Sequence, residues 1–265
     1  MKKVIILLII LFFIFANTAY ASAKTEFEFD TSNVSKGVLA LTHPQFDQKY
    51  KLLIQKDGTK YYFDIVPNKQ IEYFPLVMGD GTYTIKIYKN LYKNQYSFVS
   101  SENIDVVLLD QNQPFLQSIQ SVEWNYSMSA IQEAYLLTQD LSSEQEKVDA
   151  IYNYVIQNIE YDYTKTADSV SSTYLPDIED TYSTGLGMCY DFSSLFACML
   201  RSAGIPAKLV KGYTNNFNGY HSWNEVYING EWQIIDTTYD SIRIHCNRNY
   251  SMFKDSADYT VKFEY

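Results

Sequence analysis

HSWNEVYINGEWQIID, residues 221–236, is the stretch whose register decides how the chain reads. Two apolar-rich runs flank Asn229-Gly230, the dipeptide best suited to a two-residue hairpin because both positions tolerate positive φ. A two-residue loop pairs Ile228 with Glu231. Counting back pairs Tyr227 with Trp232, Glu225 with Ile234 and Trp223 with Asp236. Paired residues, and residues two apart on one strand, share a face. His221, Trp223 and Asp236 therefore fall on one face, with Asp236 diagonal to His221 and within reach of its imidazole. A slip of one residue would send Asp236 to the other face. Alone, His221 also reads as a satisfied strand histidine, and Asp236 as a strand-end acid before Thr237 and Thr238.

Upstream, GLGMCYDFSSLFACML at 185–200 places Cys189 at the mouth of a helix. Phe192, Leu195, Phe196, Met199 and Ala203 form an apolar stripe, Gly204 ends the helix and Pro206 blocks continuation. Unpaired N–H groups and the macrodipole favour a thiolate at that end, and the Cys189 N–H is a candidate donor to a developing oxyanion. Gly185 and Gly187 are read as letting the backbone approach a substrate closely. The competing reading is a small buried residue before a helix. Cys198, nine positions on, faces away from Cys189 and reads as core. Three cysteines cannot all pair; Cys246 reads as a free thiol in a polar tail, with a Cys198–Cys246 bridge as the alternative.

Between these signals the texture is mixed. Ser143 and Glu146 form a capping box ahead of Val148, Ile151, Tyr152, Val155, Ile156 and Ile159, which predicts a helix over 144–159. Residues 127–137 look helical, 162–186 read as one long polar loop, and AKLVKGY at 207–213 reads as a buried strand. Helices first and strands after make residues 115–265 an α+β unit.

Residues 24–112 differ. The 25 tyrosines of the chain favour strands. TYTIKIY at 82–88 alternates strictly, and Asp57-Gly58 marks a hairpin, so a small all-β sandwich-like module is expected. Gly79-Asp80-Gly81 reads as a turn, since it lacks the acid repeat of a calcium loop. His43 reads as structural or solvated, and His245 lies among polar and basic residues. Residues 1–21, with Lys2-Lys3, an apolar run from Val4 to Phe15 and Ala19-Tyr20-Ala21, read as a secretory signal peptide; an uncleaved anchor is the alternative. Loss of this segment removes two lysines and no acids, taking the formal charge from −10 to −12. Nucleic acid and anionic lipid repel such a chain. No metal constellation and no cofactor motif is present.

GMCYDFSSL (187–195), RSAGIPAKLVKGY (201–213), HSWNEVY (221–227) and WQIIDTTY (232–239), in that order, resemble the transglutaminase-like superfamily over about residues 145–240. The resemblance implies a papain-like core, with helices packed on an antiparallel sheet. It also implies Cys189 as nucleophile, His221 as general base and Asp236 as its orienter. IEYD at 159–162 resembles the family's segment upstream of the nucleophile, making Tyr161 a candidate for oxyanion support or for lining the cleft. Ser222 departs from the alanine frequent in the family. The expectation is an exported, secreted or cell-envelope enzyme acting on amide bonds of peptides or proteins, cell-wall peptide among them, with no stable membrane anchor after cleavage. The thioester would be resolved by water or by an amine. The alternative is a non-catalytic extracellular binding module that keeps the fold.

Overall fold

A computed structural model describes residues 27–165, 171 and 173–265. The signal-peptide expectation for residues 1–21 lies outside them. Among the described residues no helix is long and apolar enough to cross a membrane.

The first half is a pair of antiparallel sheets. Strands β1 (Glu28–Asp30), β2 (Val38–Thr42) and β5 (Ile71–Pro75) form one, in the order β1-β2-β5. Strands β3 (Tyr50–Lys56), β4 (Thr59–Ile65), β6 (Gly81–Tyr92) and β7 (Gln95–Val106) form the other, in the order β4-β3-β6-β7. The alternation in β6 sends Tyr83, Ile85 and Ile87 inward, where they share a core with Leu39 and Leu41 of the facing sheet. Removing this apolar surface from water is what holds two otherwise separate sheets together. The β3–β4 turn uses Asp57 and Gly58 at φ 48° and 85°, a primed turn that matches strand twist.

Among the described residues, the second half combines five helices with an antiparallel sheet. These are α1 (Ser129–Thr138), α2 (Glu144–Asn158), α3 (Ile178–Thr184), α4 (Cys189–Ser202) and α5 (Thr237–His245). The sheet runs β12-β11-β10-β13, from β10 (Ala207–Thr214), β11 (His221–Ile228), β12 (Glu231–Ile235) and β13 (Tyr259–Glu264). A two-stranded parallel pair, β8 (Glu160–Tyr161) and β9 (Leu186–Gly187), sits in front of α4. The capping box forms: Glu146 N–H donates to Ser143 Oγ and Ser143 N–H to Glu146 Oε2, each at 3.2 Å. The β11–β12 register pairs Ile228 with Glu231, as the two-residue loop requires, with Asn229 at φ 52°.

Several expectations are corrected. Residues 162–186 are not one loop, because Asp177 caps α3 with its carboxylate on Glu179 N–H and Asp180 N–H. The segment after Asp236 is no polar tail: it forms α5, with Cys246 at its C-cap, and then β13. All three cysteines are free, so the Cys198–Cys246 bridge does not form. Helix α4 is buried on every side from Asp191 to Arg201, rather than along one stripe, and Ala203, read as part of that stripe, is only half-buried.

Such burial forces α4's polar groups to find protein partners. The Arg201 guanidinium, 2% exposed, donates to the carbonyls of Gln117 at 2.6 Å, Tyr265 at 2.8 Å and Ala207 at 2.9 Å. One side chain thus ties the connector between the halves, the sheet and the chain end to the central helix. Tyr265 in turn sets its ring against Tyr61 and Phe63 of the β module, with centroids 5.7 and 6.0 Å away. Gln120 of the connector donates to the buried Glu72 carboxylate at 2.6 Å, which also accepts from His43 at 3.3 Å. His43 is therefore structural and buried.

Replacing Arg201 with Met removes the guanidinium from the Gln117, Ala207 and Tyr265 oxygens, of which Tyr265 keeps the Leu209 N–H. The expected loss is about 3 kcal/mol or more in urea unfolding followed by far-UV circular dichroism. Arg201→Lys, which cannot span three carbonyls, recovers only part of it.

Candidate active site

Cys189 opens α4. The first N–H groups of a helix have no intrahelical acceptor. Met188 N–H is satisfied at 2.9 Å by Asp191 Oδ2, which reaches back from the first turn. The cysteine amide lies in that same turn. Asp191 is fully buried, and burial raises its pKa, although Tyr174 Oη donates to Oδ1 at 2.6 Å. Gly187 serves packing here rather than substrate approach, because a Cβ on it would sit 2.8 Å from Asp191 Cβ. Gly185 ends α3 at φ 67°, a left-handed cap that suits glycine.

Opposite the thiol stands His221, the first residue of β11 and 4% exposed. Its Nε2 pairs with Asp236 Oδ2 at 2.9 Å, leaving Nδ1 for the thiol. Phe217 packs on the ring at 4.5 Å and Trp223 stacks at 6.3 Å. Burial by itself disfavours the imidazolium. The Asp236 charge and hydrogen bond, then the hydrogen bond and charge of Cys189, outweigh it and push the pKa up to about 10.

Asp236 is held from three directions. Oδ1 accepts from Tyr239 N–H at 3.0 Å, since Asp236 caps α5; Oδ2 accepts from His221 and, at 3.0 Å, from Tyr259 Oη. Behind it, Asp240 is fully buried and accepts from Tyr152 at 2.8 Å and from Lys254 at 2.5 Å. Tyr259 escaped the sequence reading because β13 was not recognised. The alternation of Tyr259, Val261 and Phe263 is the signal that could have found it. Tyr161, on β8 beside Gly187, lies close enough for Cys189 to raise its pKa, after burial, which raises it more.

The sheet's other face grips α4. Ser193 Oγ and Ser222 Oγ are 2.6 Å apart, and Asn224 donates to the Ser193 carbonyl at 2.9 Å. Ser222, the departure noted in the sequence, is thus matched by a hydroxyl on the helix it faces. Cys198 is fully buried on α4, donates to the Glu123 carbonyl at 3.5 Å and has its pKa pushed up to about 12 by burial, which disfavours its thiolate. Arranged this way, the Cys189–His221–Asp236 line can generate a thiolate, hold a proton on the imidazole and deliver it across a short distance.

Residues 132–237 match the model of the transglutaminase-like superfamily. Kyphoscoliosis peptidase of Mus musculus is 33% identical over 117 residues, covering 40% of this chain and 17% of that protein. The uncharacterised protein YebA of Bacillus subtilis (strain 168) is 36% identical over 116 residues, covering 36% of this chain and 15% of that protein. The chain therefore spans only a small part of the length of these relatives. The periplasmic domain of TgpA from Pseudomonas aeruginosa superposes with a TM-score of 0.39 at 17% identity, over 77% of this chain and 69% of that one.

The proton on His221 depends on Asp236. A pKa raised in the fold stabilises the protein fully below the ordinary histidine value, and that contribution fades as pH rises through about 10. In Asp236→Asn only burial and the thiol remain. The expected outcome, read by NMR titration of the ring, is a His221 pKa at least about two units below that of the parent.

Proposed function

We propose that this chain, whose residues 132–237 match the model of the transglutaminase-like superfamily, is a cysteine-dependent acyl-transfer enzyme acting on amide bonds of peptides or proteins. The observation that carries the reading is the buried His221, bonded to Asp236 at 2.9 Å and near enough to Cys189 for the thiol to raise its pKa. A base oriented by a third group and in reach of a helix-mouth thiol is the arrangement that nucleophilic catalysis needs.

His221 holds the proton of Cys189 as imidazolium, and the thiolate attacks the amide carbonyl carbon. The negative charge that develops on oxygen meets the Cys189 N–H at the positive end of α4, with Tyr161 as a second candidate donor. The carbon–nitrogen bond then breaks, the leaving amine takes the proton from His221, and a thioester remains. Water or an amine attacks the thioester next, His221 accepts its proton, and Cys189 leaves as thiolate. Asp236, fixed by Tyr259 and Tyr239, keeps the ring from turning and balances its charge through both halves. Water as acceptor makes the reaction hydrolysis; a lysine or other amine makes it cross-linking. The basic and apolar run over residues 1–21 supports action outside the cytosol, on extracellular or envelope peptide.

Incubation with glutamine-containing peptides and a labelled primary amine, read by mass spectrometry, separates amine incorporation, new termini and deamidation by mass. Cys189→Ala is expected to lose at least about a thousandfold in whichever product forms, with its melting curve intact. His221→Ala is expected to slow iodoacetamide labelling of Cys189 to the rate of a free thiol. Parent-like turnover in Cys189→Ala would overturn the proposal, and a free-thiol labelling rate in the parent would favour a binding module that keeps the fold.

A further inference from the structure

A cleft of about 300 Å³ opens where the β module meets the helical half. Phe63, Tyr190 and Tyr265 are among its aromatic walls, and Lys211 of β10 projects among them. Tyr190 follows Cys189 directly, and Lys211 is near enough to feel the charge on Cys189. The cleft is thus lined by the residue next to Cys189 and by a lysine that feels its charge.

Lys211 is half-buried, and its ammonium lies over the rings of Tyr190 at 3.4 Å and Tyr265 at 5.5 Å. Among the described residues no carboxylate lies within ion-pair distance of it. The acid lining the cleft, Asp64, is engaged by Lys51 at 2.7 Å. At the rim stands a second cation, Lys49, again with no acidic partner among the described residues. Cation–π contacts offset only part of the cost of withdrawing an ammonium from water. Burial accordingly lowers the Lys211 pKa to about 8, against the pull of Cys189. In a chain of formal charge −10, two cations without acids in one aromatic cleft form a local exception. An anionic ligand would complete it.

We propose that this cleft is a carboxylate-reading subsite, in which Lys211 pairs with a carboxylate carried by the peptide within about one residue of the amide that Cys189 attacks. The placement beside the thiol rests on the reading of Cys189 as nucleophile. A volume of about 300 Å³ is at the small end for ligand sites, which suits one side chain or chain end rather than a long segment. Lys211 sits on a central strand between β11 and β13, so its backbone is fixed by both neighbours. The overall negative charge repels acidic peptides elsewhere, which makes the cleft a point of selection rather than of general attraction. The carboxylate could be an acidic side chain or a free chain terminus; the chemistry at Lys211 is the same.

Binding to the Cys189→Ala protein tests the subsite without depending on turnover. Fluorescein-labelled glutamine peptides are titrated by polarisation in two pairs. One pair is a pentapeptide with a central glutamine followed by Glu or Gln, with amidated ends. The other ends at the glutamine itself, as free carboxylate or as carboxamide. The carboxylate member of at least one pair is expected to bind about tenfold tighter than its neutral twin, and the responding pair identifies the source. Adding Lys211→Met should bring that ratio to about twofold or less, while Lys211→Arg keeps most of it. Equal affinities within both pairs, or a preference that survives Lys211→Met in a folded protein, would overturn the subsite. A Lys211-dependent preference in a protein whose parent turns over no peptide would leave the subsite standing and remove the proposed function instead.

Discussion

Everything in the second half is arranged around a helix that has no exposed side over most of its length. From Asp191 to Arg201, α4 is buried, yet it carries Asp191, Ser193, Ser194 and Arg201. Unpaired, such groups would each cost as much as a lost hydrogen bond or more. Each instead meets a specific partner: Tyr174 Oη for Asp191, Ser222 for Ser193, the Ser121 carbonyl for Ser194 and three carbonyls for Arg201. These partners come from the connector, the loop before α3, the sheet and the chain end. The helix cannot shift without breaking several at once. Its N-terminus, and with it Cys189, is therefore held in place by bonds made far along its length.

The same logic explains why the β module is more than an appendage. Tyr265 contributes its ring to both hydrophobic cores while its carbonyl accepts from Arg201. Gln120 donates to the Asp64 carbonyl and to the buried Glu72 carboxylate of the sandwich. The junction is polar at the connector and aromatic at the chain end. It leaves between the two a cleft whose floor reaches the residue after Cys189. The fold thereby brings a lysine of the sheet and rings of both halves to the doorstep of the thiol.

Legibility in the sequence followed range. The capping box at Ser143, the Asp57-Gly58 and Asn229-Gly230 turns and the alternation of β6 are local and unambiguous, and each forms as its residues require. The β11–β12 register followed from turn length alone and brings His221 and Asp236 to 2.9 Å. What escaped was short or returned from far away. Helix α3 is seven residues within a polar stretch, and β13 pairs with a strand some fifty residues earlier. Neither has a periodicity long enough to stand out. The expected one-sided stripe on α4 failed because a stripe is a rule for surface helices, and this helix is internal.

Residue order by itself determined the turns, caps and strand alternation, and from these the placement of a thiol at a helix mouth and of an imidazole and a carboxylate on one face of a hairpin. It could do so because those features depend on neighbours within a few positions or on a register set by a two-residue loop. Tertiary structure alone decided that Tyr259 would complete the hold on Asp236, that Arg201 would anchor the helix to Tyr265, and that Lys211 would lie over the Tyr190 ring with no acid among the described residues at ion-pair distance. Those outcomes are set by which groups remain unpaired once distant segments have excluded water between them, and no local pattern encodes that.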